Sequence, residues 1–205
     1  MALAHLRSKL RFGGLAGAGL LLLISRPATA HLLSTGMGPV YDSIVHFLLS
    51  PEYVAPVVGL ALLAGLRGPD HGRWALFAVT GAWLVGAGLG SAPGSGIMAS
   101  FVTAGTCLVL GVFIAADLRI PLMLTVILAT AVGFLMGAMD AAAQGPALRM
   151  NGVLGICATV FVLMALATSL IVPLRILWLR IAVRVAGSWL AALGLLLVGW
   201  ALRAR

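Results

Sequence analysis

Uncharged apolar runs of about 20 residues recur along this chain, the length a helix needs to cross the hydrocarbon core of a bilayer. They fall near 97–116, 120–139, 153–172 and 185–202. Lipid offers no water to backbone N–H and C=O groups, so runs of this kind fold as helices that satisfy their own hydrogen bonds. Two further runs, about 51–66 with Pro56 inside it and about 74–90, raise the expected number of spans to six. With 62% hydrophobic and 9% charged residues, the chain cannot close into a water-soluble globule. The expected fold is all-α, a polytopic membrane helix bundle, with residues 31–205 forming one membrane domain.

The first thirty residues have a different logic. MALAHLRSKLRF is a basic segment, GGLAGAGLLLLI (13–24) is apolar but short for a span, and Ala28-Thr29-Ala30 matches a signal-peptidase site. Residues 1–30 therefore read as a cleaved signal peptide. Cleavage after Ala30 would make His31 the new N-terminus, joining an α-amine to an imidazole. That pair chelates first-row divalent metals, although an exposed terminal histidine without a ligand is the plainer reading.

A net charge of +8 invites a nucleic-acid reading, which the distribution of the charges excludes. The arginines sit in the leader and in short loops, not in a groove interleaved with aromatics. With the N-terminus outside after cleavage, the inner loops hold Arg67, Arg73, Arg119, Arg175, Arg180 and Arg184, against Arg149, Arg203 and Arg205 outside. This asymmetry fits the positive-inside rule, a bacterial-type inner membrane and an even number of spans. Cys107 and Cys157 lie within apolar runs and read as packing residues. Gly86-x-x-x-Gly90 and Gly133-x-x-x-Gly137 have the small-residue spacing that lets membrane helices approach closely.

Ionisable groups are scarce, with five carboxylates and four histidines in 205 residues, and three of them concentrate in PVYDSIVHFLLSPEY (39–53). Asp42 and His46 are spaced i, i+4 and would share a helix face. Ser50-Pro51-Glu52 is a helix-start pattern, with Ser as N-cap, Pro at the first helical position and Glu in the first turn. A helix break at this point is a plausible cavity lining, and Asp42, His46 and Glu52 are candidate cation ligands at an outer entrance. The plainer alternative is an interfacial helix with solvated charges. Asp70-His71 reads as a solvated inner turn or as an exit site for the same cation. Asp117 and Arg119 are expected to form a surface ion pair. Asp140 is expected to end the fourth span in FLMGAMDAAAQG, and a carboxylate at a membrane edge is a candidate metal ligand. No G-x-S-x-G, H-E-x-x-H or Walker pattern is present, so no enzyme is expected.

These residues resemble the HupE/UreJ family of membrane proteins. The resemblance is carried by a leader ending just before a histidine, an early histidine motif at the first helix, six spans, and a closing stretch, RVAGSWLAALGLLLVGWALR (184–203). The family's early motif has the form HPxxGxDH. Here His46-Phe47-Leu48-Leu49-Ser50-Pro51-Glu52-Tyr53 keeps the spacing, with His46 on the first histidine, Glu52 on the aspartate and Tyr53 in place of the second histidine. Where the family carries an HGxxHG-like element, MGAMDAAAQG (136–145) has no histidine. The resemblance implies transport of a divalent transition metal, nickel or cobalt, or an accessory role without transport. Ni2+ or Co2+ is then the cargo, no permanently bound cofactor is expected, and the other partner is the lipid bilayer. Fewer imidazoles would shift preference toward harder, oxygen-binding ions.

Overall fold

A computed structural model describes residues 36–89, 96–144, 150–173 and 177–203. The leader, its cleavage site and His31 lie outside the described residues, as do Arg149, Arg175 and Arg205. Seven helices follow in order: α1 (Pro39–Leu49), α2 (Pro51–Arg67), α3 (Pro69–Leu89), α4 (Gly96–Ala115), α5 (Leu122–Gln144), α6 (Met150–Ile171) and α7 (Leu177–Arg203). No strand is present among the described residues. The all-α expectation holds.

Proline sets the first three boundaries. A residue preceding proline is pushed out of the helical region, and Ser50 is extended, at φ −101° and ψ 91°. It ends α1 and begins α2, and the two helices meet at a bend of 74°. Ser50 occupies the N-cap position, but its side chain makes no capping hydrogen bond. At the other end of α2, Gly68 adopts φ +118° while its N–H caps the carbonyls of Ala64 and Gly65. L-residues rarely enter that conformation, so glycine is required there.

Pro69 then starts α3 at once. Asp70 and His71 therefore belong to the first turn of a helix, which corrects the expected loop. α5 likewise runs on to Gln144, because Ala141, Ala142 and Ala143 favour helix. Asp140 thus lies within α5, one turn before its end, where the sequence was expected to stop at 139.

The helices α4 to α7 are each long and apolar enough to cross a membrane, and the bent pair α1–α2 passes the same test as a broken span. α3 is not among them, since Asp70, His71 and Arg73 occupy its first turn. The expected six spans are therefore met by four or five on length and composition.

In a bilayer, helices associate through close packing more than through the hydrophobic effect, and glycine provides that closeness here. α3 and α5 run side by side in the same direction. A Cβ at Gly133 would lie 2.3 Å from the Val79 carbonyl oxygen, and one at Gly137 would lie 2.5 Å from that of Trp83. α4 and α7 run antiparallel, with Gly111 and Gly194 pressed on the partner backbone. α2 lies between these pairs and contacts every other helix. It buries Tyr53, Val57, Leu60, Leu63 and Ala64. Exposed Trp178, Trp189 and Trp200 mark an outer face of α7.

Candidate functional site at the helix break

α1 lies across one end of the bundle, with Phe47 fully buried beneath it. Its Val40 packs on Gly155 of α6, and its polar face meets the end of α5. There the His46 Nε2 atom is 3.6 Å from Asp140 Oδ1. Gln144 Nε2 donates to the same Oδ1 at 3.0 Å, and Ser43 Oγ donates to Gln144 Oε1 at 3.5 Å across 101 positions of sequence. Asp140 is fully buried, and its Oδ2 has no hydrogen-bond partner among the described residues.

An aromatic floor lies below. Trp83 packs edge-on against Phe47 at 5.6 Å and against Tyr53 at 6.3 Å, while Tyr53 stands 6.3 Å from the His46 ring. The buried Trp83 indole Nε1 has no hydrogen-bond partner among the described residues.

The separation of His46 and Asp140 is chemically informative. At 3.6 Å it exceeds a good hydrogen bond. Two ligands bound at about 2.1 Å to one ion stand about 3.0–3.4 Å apart at octahedral or tetrahedral angles, so a small movement would let both hold one cation. Among the described residues no three His, Cys, Asp or Glu side chains gather around one point. A cation would complete its shell with oxygens such as those of Gln144, Ser43 or water.

The candidates chosen from sequence divide accordingly. His46 and Asp140 come together. Asp42 is half-buried in the first turn of α1, and Glu52 is exposed in the first turn of α2. The residue of the 39–53 stretch that turns inward at the start of α2 is Tyr53. Ser43, Tyr53 and Trp83 were not singled out as site residues. Ser43 sits three positions before His46, a same-face spacing that could have drawn attention to it.

The opposite end holds a different arrangement. The largely buried Arg67 side chain pairs with Asp117, whose other oxygen is 3.6 Å from Arg180. This corrects the expected Asp117–Arg119 pair: the helix bundle brings the ends of α2 and α7 to Asp117. Asp117 has φ +50° and closes α4, with Leu118 N–H bonded to the Phe113 carbonyl and Asp117 N–H to that of Ile114. That is the paired hydrogen-bond pattern of a left-handed helix C-terminus. Arg184 Nε donates to the Ala115 carbonyl at 2.9 Å. Arg73 pairs with Asp70 at 2.8 Å on the surface. His71 Nδ1 is hydrogen-bonded to the buried Thr125 hydroxyl at 2.8 Å. Desolvation, followed by the Arg67 guanidinium, pushes the His71 pKa down, and Asp70 opposes the shift.

Long apolar helices, glycine-mediated packing and a buried carboxylate facing a partly exposed imidazole beside a broken helix define a multi-pass membrane protein with a polar site at one end. A sequence model of the HupE / UreJ protein family matches residues 19–197. The chain belongs to that family, which is associated with nickel or cobalt transport or with accessory functions. No curated protein and no solved structure matches the chain.

Proposed function

We propose that this protein is an inner-membrane permease for a divalent transition metal, nickel or cobalt, with His46 and Asp140 as its entry ligands. The observation that carries the proposal is their 3.6 Å approach at a buried point beside the α1–α2 break. Neutral imidazole nitrogen and carboxylate oxygen together suit borderline first-row divalent ions. A site with two such ligands captures an ion without trapping it, as conduction requires. Asp42 and Glu52, at the starts of α1 and α2, attract cations toward this end. Removal of residues 1–30 would make His31 the N-terminus and offer a second imidazole, with an α-amine, as further ligands.

In this reading the His46 end faces outward and the arginine-rich end faces the cytoplasm. α3 crosses the membrane with α5, since glycine contacts hold their backbones together, giving six crossings in which α1 and α2 form one broken span. The rival reading, an accessory membrane protein without transport, is favoured by the lack of a third gathered ligand. Titrating purified protein with Ni2+ and Co2+ in a calorimeter separates the two. The permease reading expects saturable binding that His46→Ala abolishes, and it fails if the wild-type protein binds neither ion.

A further inference from the structure

The arginine-rich end carries more positive charge than the protein itself neutralises. Arg67, Arg180 and Arg184 gather where α2, α4 and α7 meet, and exposed Arg119 follows in the next turn. Asp117 is the carboxylate among them. The better-buried Arg67 holds one Asp117 oxygen, leaving half-exposed Arg180 at 3.6 Å from the other. Arg184 spends its Nε on the Ala115 carbonyl, and its remaining guanidinium nitrogens have no partner among the described residues. Arg180 and Arg184 are one turn apart and so share a face of α7.

The surroundings of this pair are apolar. Leu177, Trp178, Ile181 and Val185 of α7 and Leu118 beyond α4 are exposed, and they continue into the face of a helix apolar enough to span a membrane. Paired guanidinium groups match phosphate oxygens in geometry and charge. Trp178, on the outer face of α7 with Trp189 and Trp200, places this end of the helix at the headgroup region.

We propose that the junction of the end of α4 and the start of α7 binds the phosphate of an anionic phospholipid, held by Arg180 and Arg184, with Leu177 and Ile181, each three positions from one of these arginines and exposed, against its glycerol and acyl chains. The apolar rim selects a lipid over a soluble phosphate, because a free anion would leave that rim uncovered. The assignment is independent of metal transport.

The test uses the full chain in nanodiscs of equal parts phosphatidylglycerol and phosphatidylcholine, released into the gas phase for native mass spectrometry. Wild-type protein should retain phosphatidylglycerol over phosphatidylcholine, and Arg180→Gln/Arg184→Gln should lower that preference by about tenfold or more. Arg203→Gln, at the other end of α7, should leave it unchanged. If the double variant does not fold, Arg180→Gln alone carries the test, since it leaves the Arg67–Asp117 and Arg184–Ala115 contacts in place. Equal retention of the two lipids, or a folded variant that retains phosphatidylglycerol like wild type, overturns the proposal. So does displacement of the lipid by millimolar inorganic phosphate.

Discussion

Replacing Asp140 with asparagine isolates charge from shape. The side chain keeps its volume, and its amide oxygen can still accept from Gln144 Nε2, now 3.0 Å from Oδ1. Lost is a negative charge 3.6 Å from His46 Nε2. At an effective dielectric constant of about 20, unit charges at that distance interact by about 5 kcal/mol. If half of this attraction reaches a cation held between the two groups, affinity falls by about 2.5 kcal/mol, or somewhat under 100-fold. Stability should move the other way or not at all, because Asp140 is fully buried with Oδ2 unpartnered and a neutral amide is cheaper to bury than a carboxylate. Calorimetric titration with Ni2+ and Co2+ measures the first quantity, and thermal unfolding in detergent measures the second. An Asp140→Asn protein that binds metal like wild type would refute the assignment. One that loses binding because it unfolds would refute the claim that the charge is functional and not structural.

Gly137→Ala should lower the unfolding temperature, since its Cβ would lie 2.5 Å from the Trp83 carbonyl oxygen and overpacking of this kind costs about 1–3 kcal/mol. Gly199→Ala, with nothing within 4 Å, should be neutral in the same melt. Arg67→Gln leaves Asp117 with the longer Arg180 contact and should destabilise by about 1.5–3 kcal/mol, the scale of a charged hydrogen bond, as a shift in the detergent melt. Because the folded pKa of His71 is pushed below its ordinary 6.5, the unfolded chain takes up a proton first as pH falls. Stability should therefore decline as pH drops below about 6.5, and His71→Gln should flatten that part of the melting-temperature profile.

Much of the architecture was legible in the residues because membrane helices declare themselves by length and apolarity, and proline and glycine mark their ends. Ser50-Pro51 marked the break between α1 and α2, and Gly133-x-x-x-Gly137 marked a close helix contact without naming its partner. Local pattern was less informative at the ends of helices. Pro69 opens α3 directly after Gly68, drawing Asp70 and His71 into a helix, and the alanines after Asp140 extend α5. Pairings between distant segments were not legible at all. Helical spacing makes Asp42 a carboxylate neighbour of His46, but the 3.6 Å approach of Asp140 depends on α1 packing on α6 and α2 so that its side chains reach the end of α5. Glu52 keeps the family spacing from His46 but opens α2 on its exposed side, while the adjacent Tyr53 is buried. Asp117 shows the same limit, since its partner Arg67 arrives from a helix fifty positions earlier.

The most direct test of the central claim is metal flux into proteoliposomes containing the purified protein, followed with Ni2+, Co2+, Zn2+ and Mn2+ by mass spectrometry of the lumen. The account predicts saturable entry of Ni2+ or Co2+ that Asp140→Asn shifts to much higher metal concentration and His46→Ala abolishes in folded protein. Empty vesicles from a folded wild-type protein, or flux indifferent to both substitutions, would contradict it.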